Sequence, residues 1–87
     1  MLGGLFIMAS EETIIVDVRG EVCPVPLIKS MEAMKIASID QTIELFTDFK
    51  PAVFVVMNAA MNQGWDVAIK QQASTEWKLL LSKVNFV

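Results

Sequence analysis

One sulfur nucleophile and no imidazole set the chemistry open to this chain. Cys23 is its single cysteine, and histidine and tyrosine are both absent. One cysteine cannot form an intramolecular disulfide or a four-cysteine zinc site. Without histidine, neither a Cys–His nor a Ser–His–Asp apparatus can be assembled within the chain. A lone thiol can still carry an added sulfur or form a mixed disulfide with a partner. Cys23 is followed by Pro24-Val25-Pro26. Pro24 presets a near-helical φ and suits the first helical position. Pro26 is tolerated in the same turn, because first-turn amides have no intrahelical acceptor. The spacing therefore places Cys23 at a helix N-terminus, where unpaired amides and the positive end of the dipole favour an anion. A thiolate, or the terminal sulfur of a persulfide, is such an anion. Arg19 adds positive charge if the turn folds back, opposed by Asp17 and Glu21. The competing reading is structural: a free cysteine is commonly a small buried hydrophobe.

The elements that position Cys23 follow from periodicity. Thr13–Arg19 alternates, with Ile14, Val16 and Val18 on one face, and Gly20 breaks the run where a sharp turn is needed. Leu27, Met31 and Met34 recur at helical spacing, predicting a first helix from about Pro24 to Ala37. Thr42–Thr47 reads as a second strand with Ile43 and Leu45 inward. Pro51 to Gly64 carries helix start and stop signals around a Val-rich segment and reads as a second helix. Trp65–Gln71 and Glu76–Lys83 are strands joined by a hairpin at Gln72–Thr75. The order β-α-β-α-β-β predicts an α/β (α+β) two-layer sandwich. Right-handed crossovers put both helices on one face of a four-stranded mixed sheet. The other face is partly solvated, because Asp66, Lys70, Glu76 and Lys78 alternate with Val67, Ile69, Trp77 and Leu79.

Composition narrows the class further. The 87 residues are 54% hydrophobic and 20% charged, which describes one small folded domain rather than a disordered tail. A net charge of −3, with seven scattered Lys and Arg residues, argues against direct binding to a nucleic-acid backbone. No apolar run is long enough to span a bilayer. Residues 1–12 read as an N-terminal arm outside the 13–87 domain, disordered or an extended start, with an ordered apolar arm as the alternative. Met1–Ala9 is apolar but lacks a basic leader and is followed by Glu11 and Glu12, unlike a signal peptide.

Asp17-Val18-Arg19-Gly20-Glu21-Val22-Cys23-Pro24-Val25-Pro26 resembles the signature of the TusA-like sulfur-carrier family, which includes SirA- and YedF-like proteins. Its hallmark is a Cys-Pro-x-Pro box six residues after a strand Asp, with Gly between them. The resemblance covers about residues 13 to 84, including Thr47-Asp48 and Gly64. It implies a cytoplasmic sulfurtransferase-type carrier whose Cys23 accepts sulfane sulfur as a persulfide. The implied partners are a cysteine desulfurase or rhodanese-like donor and an acceptor sulfur-relay protein. Such relays serve tRNA thiolation, cofactor synthesis or sulfur oxidation. Pro24 and Pro26 would shape the first turn, Asp17 and Gly20 would hold the preceding loop, and Asp48 would lie near the same edge. No cofactor or metal is implied, since the sulfur is carried covalently, and the chain would be a monomer or a weak homodimer.

The chain departs from the family pattern in places. Asp40 stands where members usually carry Gly. The stretch Asp48-Phe49-Lys50-Pro51 displaces a Pro that usually follows the Asp more closely. The second helix is also unusually apolar, so Phe49, Val53, Phe54 and Met61 are candidates for a partner surface, or alternatively for core. These features keep a second function open: a non-catalytic protein-interaction or thiol redox-regulatory module on the same fold.

Overall fold

The computed structural model describes residues 6–9, 13–38 and 40–83. The elements are β1 (Phe6–Ala9), β2 (Thr13–Asp17), α1 (Val25–Ile36), β3 (Thr42–Thr47), α2 (Lys50–Asn62), β4 (Trp65–Ala73) and β5 (Glu76–Lys83). From β2 onward they follow the expected β-α-β-α-β-β order. The sheet order is β1-β2-β3-β5-β4, with β2 and β3 parallel and the other pairs antiparallel. The expected four-stranded mixed sheet is present, with β1 added at its edge. Part of the arm expected to lie outside the domain thus joins it, with Phe6 opposite Asp17 and Ala9 opposite Ile14. Its physical role is to supply the backbone partners that an edge strand otherwise leaves unpaired. The remainder of the arm lies outside the described residues.

Alternation along the strands sets the layers. Ile14, Val16, Ile43, Leu45, Leu79 and Leu81 are fully buried, whereas Ile15 and Glu44 are half-buried and Leu80 is exposed. The registers Ile14–Ile43–Leu81 and Val16–Leu45–Leu79 put the buried set on one face. Burying each such side chain contributes about 1.5–3 kcal/mol. A one-residue slip of any one strand would turn its buried pair to solvent, a loss of about 3–6 kcal/mol against a small domain's whole stability of about 5–15 kcal/mol. The hydrophobic pattern therefore fixes the register.

Both helices cover that face. α1 buries Pro26, Ser30, Ala33 and Met34, and α2 buries Ala52, Val53, Val56 and Ala60. α1 packs on β2 and β3, α2 on β3, β5 and β4, and the helices pack on each other. α2 ends where Gly64 adopts φ +85°, the left-handed stop expected of glycine after a helix. Among the described residues no helix is long and apolar enough to cross a membrane.

Candidate functional site

The parallel strands β2 and β3 end side by side, and each runs on through an aspartate into a turn and a helix. After β2 the chain turns at Gly20, whose φ of +88° demands a residue without a Cβ penalty. Two carboxylates hold this turn. Asp17 Oδ1 accepts the Arg19 amide at 3.1 Å, and the Arg19 guanidinium grips the same carboxylate through Nε at 2.9 Å and Nη2 at 2.7 Å. Asp48, just after β3, accepts the Gly20 amide through Oδ1 at 2.9 Å. The structure thus brings together Asp17, Arg19, Gly20 and Asp48. The hydrogen bonds from Arg19 hold the Asp17 carboxyl below its ordinary value of 3.8, against the opposing effect of burial. Arg19 is in turn held more firmly protonated, mainly by Asp17.

The Arg19 charge has three neighbours of its own. The guanidinium is paired with Asp17, lies 5.8 Å from the Phe46 ring centroid and reaches Glu76 at 3.7 Å. Phe46 and Glu76 lie far from the Cys-Pro-x-Pro box in sequence, so no local signal pointed to them. Thr47 is a further member of the turn framework, because its buried Oγ1 accepts the Phe49 amide at 3.1 Å. The polar Thr-Asp pair following an alternating strand was the available hint.

Cys23 is exposed, carries no disulfide, and stands between exposed Val22 and Pro24. The reading of it as a small buried hydrophobe is therefore excluded. The helix start differs in detail from expectation. Pro24 occupies the N-cap, with φ −96° and ψ 13°, rather than the first helical position; Val25 is first and Pro26 second. The Cys23–Pro24 peptide is cis. Pro24 and Pro26 have no N–H, and the Val25 amide donates to Val22 O at 3.0 Å. The set of unpaired amides available to an anion is thus smaller than an ordinary first turn offers. The positive end of the dipole remains.

The candidate partner residues divide. Val53 is 3% exposed and belongs to the core, so its place in a partner surface is corrected. It shares the inward stripe of Ala52, Val56 and Ala60. Phe49 is half-buried, whereas Phe54 and Met61 are 51% and 59% exposed. A pocket of about 260 Å³ lies away from Cys23, at the C-terminal ends of both helices, lined by Met31, Met34, Lys35, Gln63, Trp65 and Lys83. Lys83 Nζ there donates to Ala37 O at 3.3 Å and stands 5.5 Å from the Trp65 ring centroid.

Comparison with known proteins agrees with this architecture. The chain is 28% identical over 67 residues to a candidate sulfur carrier protein of Methanocaldococcus jannaschii, covering 77% of this chain and 89% of that one. It is 27% identical over 70 residues to a similarly described protein of Archaeoglobus fulgidus, covering 79% and 80% respectively. The crystal structure of a SirA-like protein from Desulfitobacterium hafniense superposes with a TM-score of 0.67 at 17% identity. That match covers 79% of this chain and 92% of the other, and it shows the shared fold. The family model described as sulfurtransferase TusA matches residues 14–83, from the first buried residue of β2 to the end of β5, and the chain belongs to that family.

Proposed function

We propose that this protein is a cytoplasmic sulfur carrier that relays persulfide sulfur on Cys23. The observation that carries the reading is an exposed thiol at the start of α1 in a chain that has no histidine and no second cysteine. A thiol so placed is open to a partner's active site, and the partner supplies whatever acid–base groups the transfer needs. The Cys23 thiolate attacks the outer sulfur of a persulfide on a cysteine desulfurase or rhodanese-like donor. A new S–S bond forms to Cys23, the donor's S–S bond breaks, and the donor cysteine leaves as a thiolate, so no net oxidation occurs. The same exchange then passes the sulfur to an acceptor protein serving tRNA thiolation, cofactor synthesis or sulfur oxidation. No cofactor takes part.

Incubation with a cysteine desulfurase and cysteine, followed by intact-mass measurement, tests this reading. The wild-type chain gains one sulfur atom and Cys23→Ser gains none. An unmodified Cys23 with desulfurase and rhodanese donors alike, or sulfur on another residue, overturns it.

A second reading has its own support in the exposed side chains of Phe54 and Met61. An interaction or redox-regulatory module of this fold would bind its partner through α2. In that case Cys23→Ala leaves complex formation and phenotype intact, while Phe54→Asp abolishes both.

A further inference from the structure

The sheet has two edges, and they are treated differently. On one side β1 covers β2, using residues that precede the family-matched span 14–83. On the other side β4, nine residues long, pairs with β5 alone among the described residues. A long strand with an unpaired outer edge is a template for adding another strand. We propose that the outer edge of β4 is a dimerisation surface whose partner is a second copy of this chain, paired antiparallel about a two-fold axis at Ala68.

The sequence of β4 is self-complementary in that register. With Ala68 opposite its own copy, Val67 falls opposite the partner's Ile69, and Asp66 falls opposite the partner's Lys70. The two-fold repeats both pairs. Asp66, Ala68 and Lys70 are exposed, and neither charge is ion-paired within the described chain. Neighbouring registers lack this match. Centring on Asp66 or on Lys70 sets like charges directly opposite, which destabilises a strand pair. Centring on Val67 or Ile69 leaves both charges facing uncharged residues. On the helix-covered face, Val67 is half-buried and Ile69 is 41% exposed, so their cross-strand pairing removes apolar surface from water.

The second layer is also complementary. α2 connects β3 to β4, which run parallel across β5, and such a crossover is right-handed as a rule. At about 3.6 residues per turn, this sets Phe54, Met57 and Met61 on the flank away from α1, over the β4 side. The two-fold brings these flanks toward each other on the same face of the joined sheet. It thereby gives the exposed side chains of Phe54 and Met61 a counterpart. The register irregularity between Gln71 and Ala73 ends the pairing beyond Gln71 and favours a closed pair. Cys23 stays open, because α1 packs on β2 and β3, away from this edge.

Sedimentation equilibrium of the full chain over a wide concentration range tests the proposal. The mass rises from that of one 9.6 kDa chain to twice that value. At a concentration where the wild type is dimeric, Asp66→Lys and Lys70→Asp each return the monomer mass, and the double exchange restores the dimer. Circular dichroism checks that these surface variants remain folded. Ala68→Cys in a Cys23→Ser background, treated with oxidised glutathione, forms a disulfide-linked dimer, because directly opposed strand positions lie within disulfide reach. Ile69→Cys in the same background does not. A monomer at every concentration, a dimer indifferent to the single reversals, or a double exchange that fails to restore it overturns the proposal.

Discussion

Asp48 Oδ1 accepts the amide of Gly20 at 2.9 Å, joining two turns 28 residues apart in the chain. The bond runs between the ends of two parallel strands, so the loop carrying Cys23 is anchored to β3 as well as to its own strand. Asp17 grips the same loop one residue earlier through Arg19. Two carboxylates with different partners thus fix the approach to an exposed thiol that has little packing of its own.

Removal of that anchor should separate position from stability. Asp48→Ala loses the acceptor for Gly20, whereas Asp48→Asn keeps an oxygen in the same place. The alanine variant is expected to lose about 0.5–1.5 kcal/mol, the usual net contribution of one hydrogen bond. It should also accept sulfur from a desulfurase several-fold more slowly, while the asparagine variant stays close to wild type. Urea unfolding and the rate of mass gain measure the two effects. Equal rates in all three proteins would detach Asp48 from the site.

Gly20 provides a complementary test. Its φ of +88° lies where a side chain is strained, so Gly20→Ala is expected to cost about 1–2 kcal/mol. If the turn relaxes instead of holding its strain, the Gly20 amide moves off Asp48. The same variant then shows slower sulfur acceptance. A thermal melt and the loading assay, run together, distinguish strain held in place from a displaced turn.

The fold was legible because its determinants are periodic. Ile14/Val16, Ile43/Leu45 and Leu79/Leu81 alternate cleanly, and Pro51 and Gly64 bracket α2 despite its β-branched run. The site was legible where it is local: Cys23, Gly20 and Asp17 lie within one short segment. Long-range relations were less accessible. Nothing near Arg19 in sequence says that its guanidinium will reach Phe46 and Glu76. The apolar stretch of α2 hides its inward stripe, because Val53 and Phe54 look alike to periodicity and only packing against the sheet separates them. The strand at Phe6–Ala9 depends on an open edge at β2, which the arm's own sequence does not reveal.

That separation on α2 is directly testable. Val53 is buried in the core and Phe54 is half exposed. Val53→Asp buries a carboxylate with no partner, a cost of several kcal/mol that a small domain cannot absorb, and the chain should lose its cooperative unfolding transition. At a concentration where the chain is monomeric, Phe54→Asp should leave that transition within about 0.5 kcal/mol of wild type, as surface changes usually do. Chemical denaturation of both variants settles the assignment, and similar losses in the two would place Phe54 in the core.

The Asp17–Arg19 pair makes the pH dependence specific. In the folded chain the Asp17 carboxyl lies below its ordinary value of 3.8, whereas in the unfolded chain it returns to that value. A carboxyl depressed on folding contributes stability that is fully present above the unfolded value and is lost as pH falls through the folded one. Asp17→Asn removes the ionisable group but keeps an oxygen for the Arg19 amide. At neutral pH the variant should be less stable by about 1–2 kcal/mol, discounted because Arg19 is partly exposed. The difference from wild type should shrink as the solution is acidified from about pH 5 to below the ordinary carboxylate range. Urea unfolding of both proteins across that range measures the contribution. A gap that stays constant with pH would mean that Asp17 acts through shape and not through its charge.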